Sequence, residues 1–274
     1  MMSRIFIFVL LVWYSVAGYS QPDSVFHFQR DYRGEITDFS VDNLGNMYLV
    51  YQNGQLKKLR PDGDSLAVFN NVRKYGKLHS VDVSNPLKVL LHFRDFNTVV
   101  ILDRLLNERA ILDLRKFNFL QVKTIGQSYD NNIWIYDELE AKLKKIGDDG
   151  RLIDQSNDFR QLFDSTPSPS VIIDQDKLLY LYDEQKGVYT FDYYGGYKSR
   201  MPFFGWKDFT VINNSMFGRD SVFLYRYDAS SFDLQKFSVP TFMNDAQKIV
   251  IRPGSVYLLR DGVIMVYSYG VKTF

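Results

Sequence analysis

The sequence contains no cysteine. This absence excludes disulfide bonds, thiolate chemistry and a lipid attached to a cysteine, so stability must come from a buried core. A chain of 274 residues can bury enough apolar surface for this purpose. Histidine is also scarce, with three residues in the whole chain, so a multi-histidine metal site has few ligands to draw on.

Long apolar runs are missing after the first twenty residues. Before that point, Arg4 precedes the apolar run Ile5–Trp13. Small residues follow at the third and first positions before Gln21. This order predicts a secretory signal peptide over residues 1–20. The alternative is a membrane anchor, but the run is shorter than the roughly 20 residues that span a bilayer. We expect an exported protein, periplasmic or at the cell surface, without a transmembrane segment after cleavage.

The mature chain carries no excess of one charge. The full sequence has 33 basic and 32 acidic side chains, and Arg4 is the one charged residue among the first twenty. Nucleic-acid binding needs clustered positive charge, so the neutral balance argues against it. Tyrosine and phenylalanine are abundant, with 19 and 22 residues, and this composition suits half-buried β-strands.

A repeated unit follows along the chain. In its clearest copy, Phe39–Asp42 leads into the strand pattern Met47–Tyr51, and Asn53-Gly54 connects this pattern to Gln55–Leu59. Asn-Gly between two such runs is a hairpin signal, because both residues tolerate positive φ. The same order recurs five more times, with second strands predicted at Val89–Phe93, Ile133–Tyr136, Leu178–Tyr182, Ser221–Tyr225 and Ser255–Leu259.

The spacing of these second strands measures the repeat. Their equivalent positions are Tyr48, Leu91, Trp134, Tyr180, Phe223 and Tyr257, and successive steps are 43, 43, 46, 43 and 34 residues. Such a period, with about four short strands per unit, is typical of propeller blades. We therefore predict an all-β fold, a six-bladed β-propeller that forms a single domain over residues 21–274. The alternatives are a ring of five or seven blades, a β-sandwich, or two small β domains.

The last unit is short, and its length predicts how the ring closes. Only seven residues follow Tyr267, too few for a fourth strand and its turn. Ser24–Gln29 alternates in hydrophobicity and precedes the first complete unit. We expect this N-terminal strand to pair with the last blade, which closes the ring and removes an open sheet edge.

The turns carry a family resemblance. The run Asp42-x-x-Gly45-Asn46-Met47-Tyr48 resembles a turn of NHL-type β-propellers, and Leu143–Leu152 resembles the strand and turn that usually follow it. The resemblance extends over the mature chain as a pattern and is sharp in the first and third units. It implies a propeller that binds proteins, peptides or ligands across one face, and it does not imply one activity. The aromatic content also resembles that of proteins exported by Bacteroidota-type bacteria.

An aromatic stretch between the fourth and fifth units is the candidate binding site. The side chains that we single out are Tyr194, Tyr197, Phe204 and Trp206, together with Arg200. If exposed, such rings suit a contact with a protein or a glycan. The alternative is that they pack between blades and over the hairpin.

The sequence contains no evident catalytic set. The starts of the innermost strands offer Asp38, His79 and Asp208 at the mouth of a central channel, where a metal-dependent hydrolase or lactonase would hold its ion. The equivalent positions in two other units are Lys123 and Lys248, which would oppose a divalent cation. The sequence therefore favours a protein that is not an enzyme and that needs no metal or cofactor.

These observations favour an exported binding or scaffold propeller that holds another protein of the cell envelope, for example in an outer-membrane secretion or assembly complex. Two alternatives stay open. One is the hydrolase or lactonase in the channel, and the other is a carbohydrate-binding propeller that uses the aromatic stretch.

Overall fold

The computed structural model describes residues 26–70 and 74–270. The predicted signal peptide lies outside the described residues, as do Ser24 and Val25 of the predicted closing strand. The only α-helix of the described part, α1, spans Phe159–Leu162, and short 3₁₀ turns occur at Arg94–Phe96, Leu114–Phe117 and Thr241–Met243. No helix in this part of the chain is long and apolar enough to cross a membrane.

Each blade is a four-stranded antiparallel sheet. The described part begins with β1 (Phe26–Arg33), which does not belong to the sheet of the first blade. The first blade consists of β2 (Ile36–Val41), β3 (Met47–Tyr51), β4 (Leu56–Leu59) and β5 (Ser65–Phe69). The second consists of β6 (Ser80–Asp82), β7 (Lys88–Phe93), β8 (Thr98–Asp103) and β9 (Glu108–Asp113). The third consists of β10 (Val122–Gln127), β11 (Ile133–Asp137), β12 (Lys142–Ile146) and β13 (Leu152–Gln155).

The other three blades complete the ring. The fourth consists of β14 (Val171–Gln175), β15 (Leu178–Asp183), β16 (Gly187–Phe191) and β17 (Tyr197–Met201). The fifth consists of β18 (Lys207–Ile212), β19 (Ser215–Arg219), β20 (Phe223–Asp228) and β21 (Asp233–Ser238). The sixth consists of β22 (Lys248–Arg252), β23 (Ser255–Arg260) and β24 (Val263–Tyr269), with β1 as its fourth strand. The predicted six-bladed β-propeller is confirmed.

The N-terminal strand closes the ring as predicted. β1 pairs antiparallel with β24, from Phe26 opposite Tyr269 to Arg33 opposite Val263. The register shifts once, between Phe28 and Arg30. This pairing joins the two ends of the described chain in one sheet, so the sixth blade has the same four strands as the others.

The core lies between the blades, because each second strand sends alternate side chains to opposite neighbours. In β7, Leu91 packs with Tyr48 of the first blade, whereas Leu90 packs with Ile133 of the third. In the third blade, Trp134 is fully buried on the side that faces the fourth. The second-strand positions that measured the repeat are therefore the centres of the inter-blade packing in these blades.

The predicted second strand of the fifth blade is wrong. Phe223 lies in the third strand, β20, and the true second strand is β19, in which Phe217 packs against the sixth blade. The reason is a two-residue turn at Asn213-Asn214, where both residues have positive φ. Asparagine tolerates this conformation better than most residues, so Asn-Asn forms the tight hairpin that the sequence pattern did not single out.

Candidate functional site

The blades give the ring two distinct faces. One face carries the turns from first to second strand and from third to fourth strand of each blade, and we call it the hairpin face. The starts of the innermost strands lie on the opposite face. β1 begins and β24 ends on the hairpin face, since these two strands run antiparallel and Phe26 pairs with Tyr269.

The predicted aromatic stretch does not form one surface. Tyr194 lies in the turn 192–196, which precedes β17 on the hairpin face. Phe204 lies in the connection that follows β17, on the opposite face. Both side chains are exposed, but the length of a strand separates them. They cannot contact one small ligand together.

Trp206 belongs to the core between the fourth and fifth blades. Its side chain is 5% exposed. The ring stacks between Phe203, with centroids 4.5 Å apart, and Tyr225, with centroids 5.0 Å apart. A Cβ atom on Gly218 would lie 2.7 Å from this side chain, so glycine is needed there for the close approach. For Trp206 the structure therefore agrees with the alternative of packing between blades.

Tyr197 and Arg200 lie on the outermost strand of the fourth blade. The Tyr197 ring contacts Phe163, with centroids 4.9 Å apart, and Tyr197 remains 42% exposed. The Arg200 guanidinium lies over the Tyr189 ring at 5.2 Å, and its Nε donates to the Lys186 carbonyl at 2.9 Å. Tyr197 also meets Phe191 of its own blade edge to face, so both side chains pack against the fourth blade.

Tyr194 is part of a group of three tyrosines at the junction of the third and fourth blades. Tyr129 lies in the first turn of the third blade, and its ring stacks on Tyr193 with centroids 4.1 Å apart and planes 27° apart. The buried Lys145 supports the pair, since its Nζ donates to the Tyr193 carbonyl at 3.3 Å. Tyr194 is 81% exposed beside them. We call Tyr129, Tyr193 and Tyr194 the tyrosine platform.

Sequence reasoning missed Tyr129 as a member of this site. It is far from Tyr193 and Tyr194 in the chain, and the sequence of its turn predicts a hairpin connection alone. One possible signal is the residue type, because Tyr129 is the aromatic residue in a turn otherwise composed of Ser, Asp and Asn. No neighbouring residue of this turn could bury its ring. Only the contact between the two blades identifies its partner.

The hairpin face has two unequal halves. In the first three blades the turn between the first and second strands has five residues, at 42–46, 83–87 and 128–132. In the other three it has two, at 176–177, 213–214 and 253–254. Each long turn exposes one large apolar side chain: Leu44 is 65% exposed, Leu87 63% and Tyr129 60%. We call these three residues the apolar arc.

Buried hydrogen bonds hold the first long turn in shape. The Asp42 carboxylate accepts from the backbone N–H groups of Leu44 and Asn46, at 2.9 and 2.8 Å. It also accepts from the Asn46 side chain and from the Tyr48 hydroxyl, at 2.8 and 3.2 Å. The motif that resembles NHL-type turns is therefore a structural cap, and it presents Leu44 to solvent.

On the opposite face, the predicted channel-mouth carboxylates are paired with cations. Asp38 accepts from the Lys248 ammonium at 2.6 Å. Asp208 accepts from Arg219 Nε at 2.7 Å and from the Ile249 backbone at 3.0 Å. Burial raises the pKa of Asp208, and the Arg219 charge opposes that effect. Each carboxylate thus lies in a separate contact between neighbouring blades.

His79, the third channel-mouth residue, is exposed and contacts a second histidine that is fully buried. The rings of His79 and His92 meet edge to face, with centroids 5.6 Å apart. Neither ring nitrogen of His92 has a hydrogen-bond partner in the structure. Burial lowers the pKa of His79, and the positive charge of Arg94 lowers it further. Nearby Lys77 acts in the same direction.

The structure does not bring Asp38, His79 and Asp208 together as one cluster of ligands. Within residues 26–70 and 74–270, no group of three or more His, Asp or Glu side chains is arranged to hold a metal ion. Lys123, at the equivalent position of the third blade, lies 3.7 Å from Glu138, which also accepts from Ser168 at 2.9 Å. The polar residues at the channel mouth on this face thus form separate contacts.

Comparisons with known proteins identify the fold and no closer relationship. No protein-family model matches the chain, and no curated protein matches it. Solved structures do match. The virginiamycin B lyase of Staphylococcus aureus is 14% identical, with a TM-score of 0.62 over 89% of this chain and 100% of that chain.

Two further solved structures are similar over most of this chain. The Pan2 WD40 domain of Neurospora crassa is 10% identical, with a TM-score of 0.59 over 89% of this chain and 95% of that one. An extracellular domain from B. thetaiotaomicron is 13% identical, with a TM-score of 0.53 over 85% of this chain and 34% of that one. Identities this low establish a shared fold, and proteins of one fold differ widely in function.

Proposed function

We propose that this protein is an exported propeller without catalytic activity, and that it binds another protein of the cell envelope through its hairpin face. Residues 1–20 act as the signal peptide in this proposal, and residues 21–274 form the exported domain. The observation that carries the proposal is the apolar arc, in which three successive long turns each expose a large apolar side chain.

The chemistry of the arc favours a protein over a glycan. Leu44 and Leu87 offer aliphatic surface, which is stabilised by burial against other apolar side chains. Glycans, in contrast, stack on aromatic rings and need polar groups close by. Tyr129 joins the arc to the tyrosine platform, and Phe232 of the fifth blade is also exposed on this face. A protein surface is wide enough to cover such a set, and exposed aromatics are frequent anchors of interfaces.

The ion pairs of the carboxylates on the opposite face argue against a metal-dependent hydrolase site in the channel. Asp38 and Asp208 are already paired with Lys248 and Arg219. A divalent ion would have to displace a cation from each, and the displaced charges would repel it.

A capture experiment with matched variants tests the proposal. The purified exported domain is immobilised and exposed to an envelope extract, and bound proteins are identified by mass spectrometry. We expect one partner in stoichiometric amount, and we expect Leu44→Asp/Leu87→Asp to lose it. The matched control is Leu120→Asp/Leu139→Asp, which places the same charges at two exposed leucines away from the arc.

Three outcomes contradict the proposal. The first is that no protein binds in stoichiometric amount. The second is that the arc variant and the control variant retain the partner equally. The third is saturable binding of a glycan at the tyrosine platform without any protein partner. Circular dichroism of all variants must match the unchanged protein for the comparison to be valid.

A further inference from the structure

Three carboxylates lie near the tyrosine platform. Asp130 is neutralised by Lys145 at 3.1 Å. Asp174 accepts from the Tyr129 backbone at 3.2 Å, and Asp176 accepts from the Asn214 backbone at 3.1 Å. Within the described residues, neither Asp174 nor Asp176 has a lysine or arginine at ion-pair distance. Asp174 is half-buried, its Oδ2 also accepts from Ser128 and Trp134, and the Lys145 charge acts on it. Asp176 is therefore the exposed carboxylate beside the platform.

The Tyr193 ring lies close to these two carboxylates. Burial raises the pKa of its hydroxyl, and the charges of Asp174, Tyr129 and Asp176 raise it further. A hydrogen bond from the backbone of Lys177 acts in the opposite direction. The Tyr193 side chain therefore extends from the turn 192–196, between the third and fourth strands of the fourth blade, to the turn 176–177, between its first and second strands. One oxygen of Asp174, Oδ1, is buried without a hydrogen-bond partner.

We propose that the tyrosine platform binds an arginine side chain of the partner protein, which stacks on the rings beside the exposed Asp176. This inference rests on the proposed function and adds the chemistry of the partner. A guanidinium is planar, stacks on aromatic faces and donates to carboxylates in a fork. An ammonium is a compact, strongly hydrated charge and matches a broad ring surface less well. A neutral sugar would stack on the rings, and its hydroxyl groups could donate hydrogen bonds, but it would not neutralise the carboxylate charge.

The probe for this site is N-acetyl-arginine amide, compared with N-acetyl-citrulline amide. Citrulline has the same length and carries a neutral, planar ureido group. Binding is followed by ¹H–¹⁵N NMR titration of the exported domain. We expect the shifts to concentrate at residues 129–130, 174–177 and 193–194, with affinity for the arginine probe higher by about five-fold or more, as a cation–π contact with an adjacent carboxylate supplies.

Two charge variants sharpen the test. Asp176→Asn is expected to lower the affinity for the arginine probe by about three-fold or more, whereas Lys177→Ala is expected to raise it, because Lys177 is an exposed cation beside the site. Asp64→Asn serves as the control, since Asp64 is exposed in the first blade, away from the platform. Its affinity should equal that of the unchanged protein. All three positions are exposed turn residues, so the fold should tolerate the changes.

Equal affinity for the two probes overturns the inference, and so does the absence of a saturable shift at the platform. The same variants separate this inference from the proposed function. If Asp176→Asn and Tyr194→Ala retain the partner in the capture experiment while Leu44→Asp/Leu87→Asp loses it, the protein-binding face stands and the arginine site falls. If none of these variants affects capture, both fall.

Discussion

His92 gives the protein a predictable sensitivity to acid. The side chain is fully buried between the second and third blades, where Leu90 of the same strand packs into a cluster of aliphatic residues. Neither of its nitrogens has a hydrogen-bond partner. Burial, together with the nearby charges of His79 and Arg94, lowers the pKa of His92 to about 3. The ring is therefore neutral in the folded protein down to strongly acidic pH.

The sign of the effect follows from proton binding in the two states. Above about pH 6.5 the residue is neutral in both the folded and the unfolded chain, so it contributes no pH dependence. Below that pH the unfolded chain binds a proton that the folded protein rejects until about pH 3. The free energy of unfolding therefore falls by about 1.4 kcal/mol for each unit of pH. Integrated from pH 7.5 to pH 4.5, the loss is about 2.7 kcal/mol.

The perturbation is His92→Met, which fills similar volume without polar nitrogens. At pH 7.5 we expect the variant to equal or exceed the unchanged protein in stability, because it removes two buried groups without hydrogen bonds. At pH 4.5 its advantage should grow by about 2.7 kcal/mol. The assay is urea unfolding at both pH values, followed by tryptophan fluorescence from the buried Trp134 and Trp206.

The control is His27→Gln, which changes an exposed histidine of the closing strand. It should show the same pH dependence as the unchanged protein. If His92→Met and the unchanged protein lose the same free energy of unfolding between pH 7.5 and 4.5, the reasoning about His92 is refuted. His79 is present in every protein, so its own contribution to the pH dependence of the free energy of unfolding cancels when the proteins are compared.

Two further predictions concern stability. Trp206→Ala should lower the free energy of unfolding by about 3–5 kcal/mol in chemical denaturation, because the indole is buried between two rings. Tyr194→Ala should change it by less than about 0.5 kcal/mol, and similar losses for both variants would contradict this placement. Asp42→Ala should cost about 3 kcal/mol, because it leaves buried donors unpaired. Asp103→Ala removes the same turn pattern in the second blade, but it should cost about 1 kcal/mol because water reaches that turn. Equal costs for the two aspartates would show that burial is not the cause.

The number of blades and the closure of the ring could be predicted from the sequence. Both depend on local chemistry. Turn residues such as Asn53-Gly54 mark where strands reverse, and the interval from Tyr48 to Leu91 and Trp134 counts the sheets. The sixth unit has three strand patterns of its own, and the alternating N-terminal segment pairs with the last of them. Where the local signal was weak, as at Asn213-Asn214, the assignment of strands failed.

The tertiary structure alone decided which side chains meet. Trp206 and Tyr194 are both aromatic residues next to glycine in the same stretch, yet one is buried between blades and the other is exposed. Tyr129 acquires its partner Tyr193 only because the third and fourth blades pack side by side. An alternating strand pattern predicts which side chains project from the same face of a sheet. Which neighbouring blade covers that face, and how far, depends on contacts between residues that are distant in the chain.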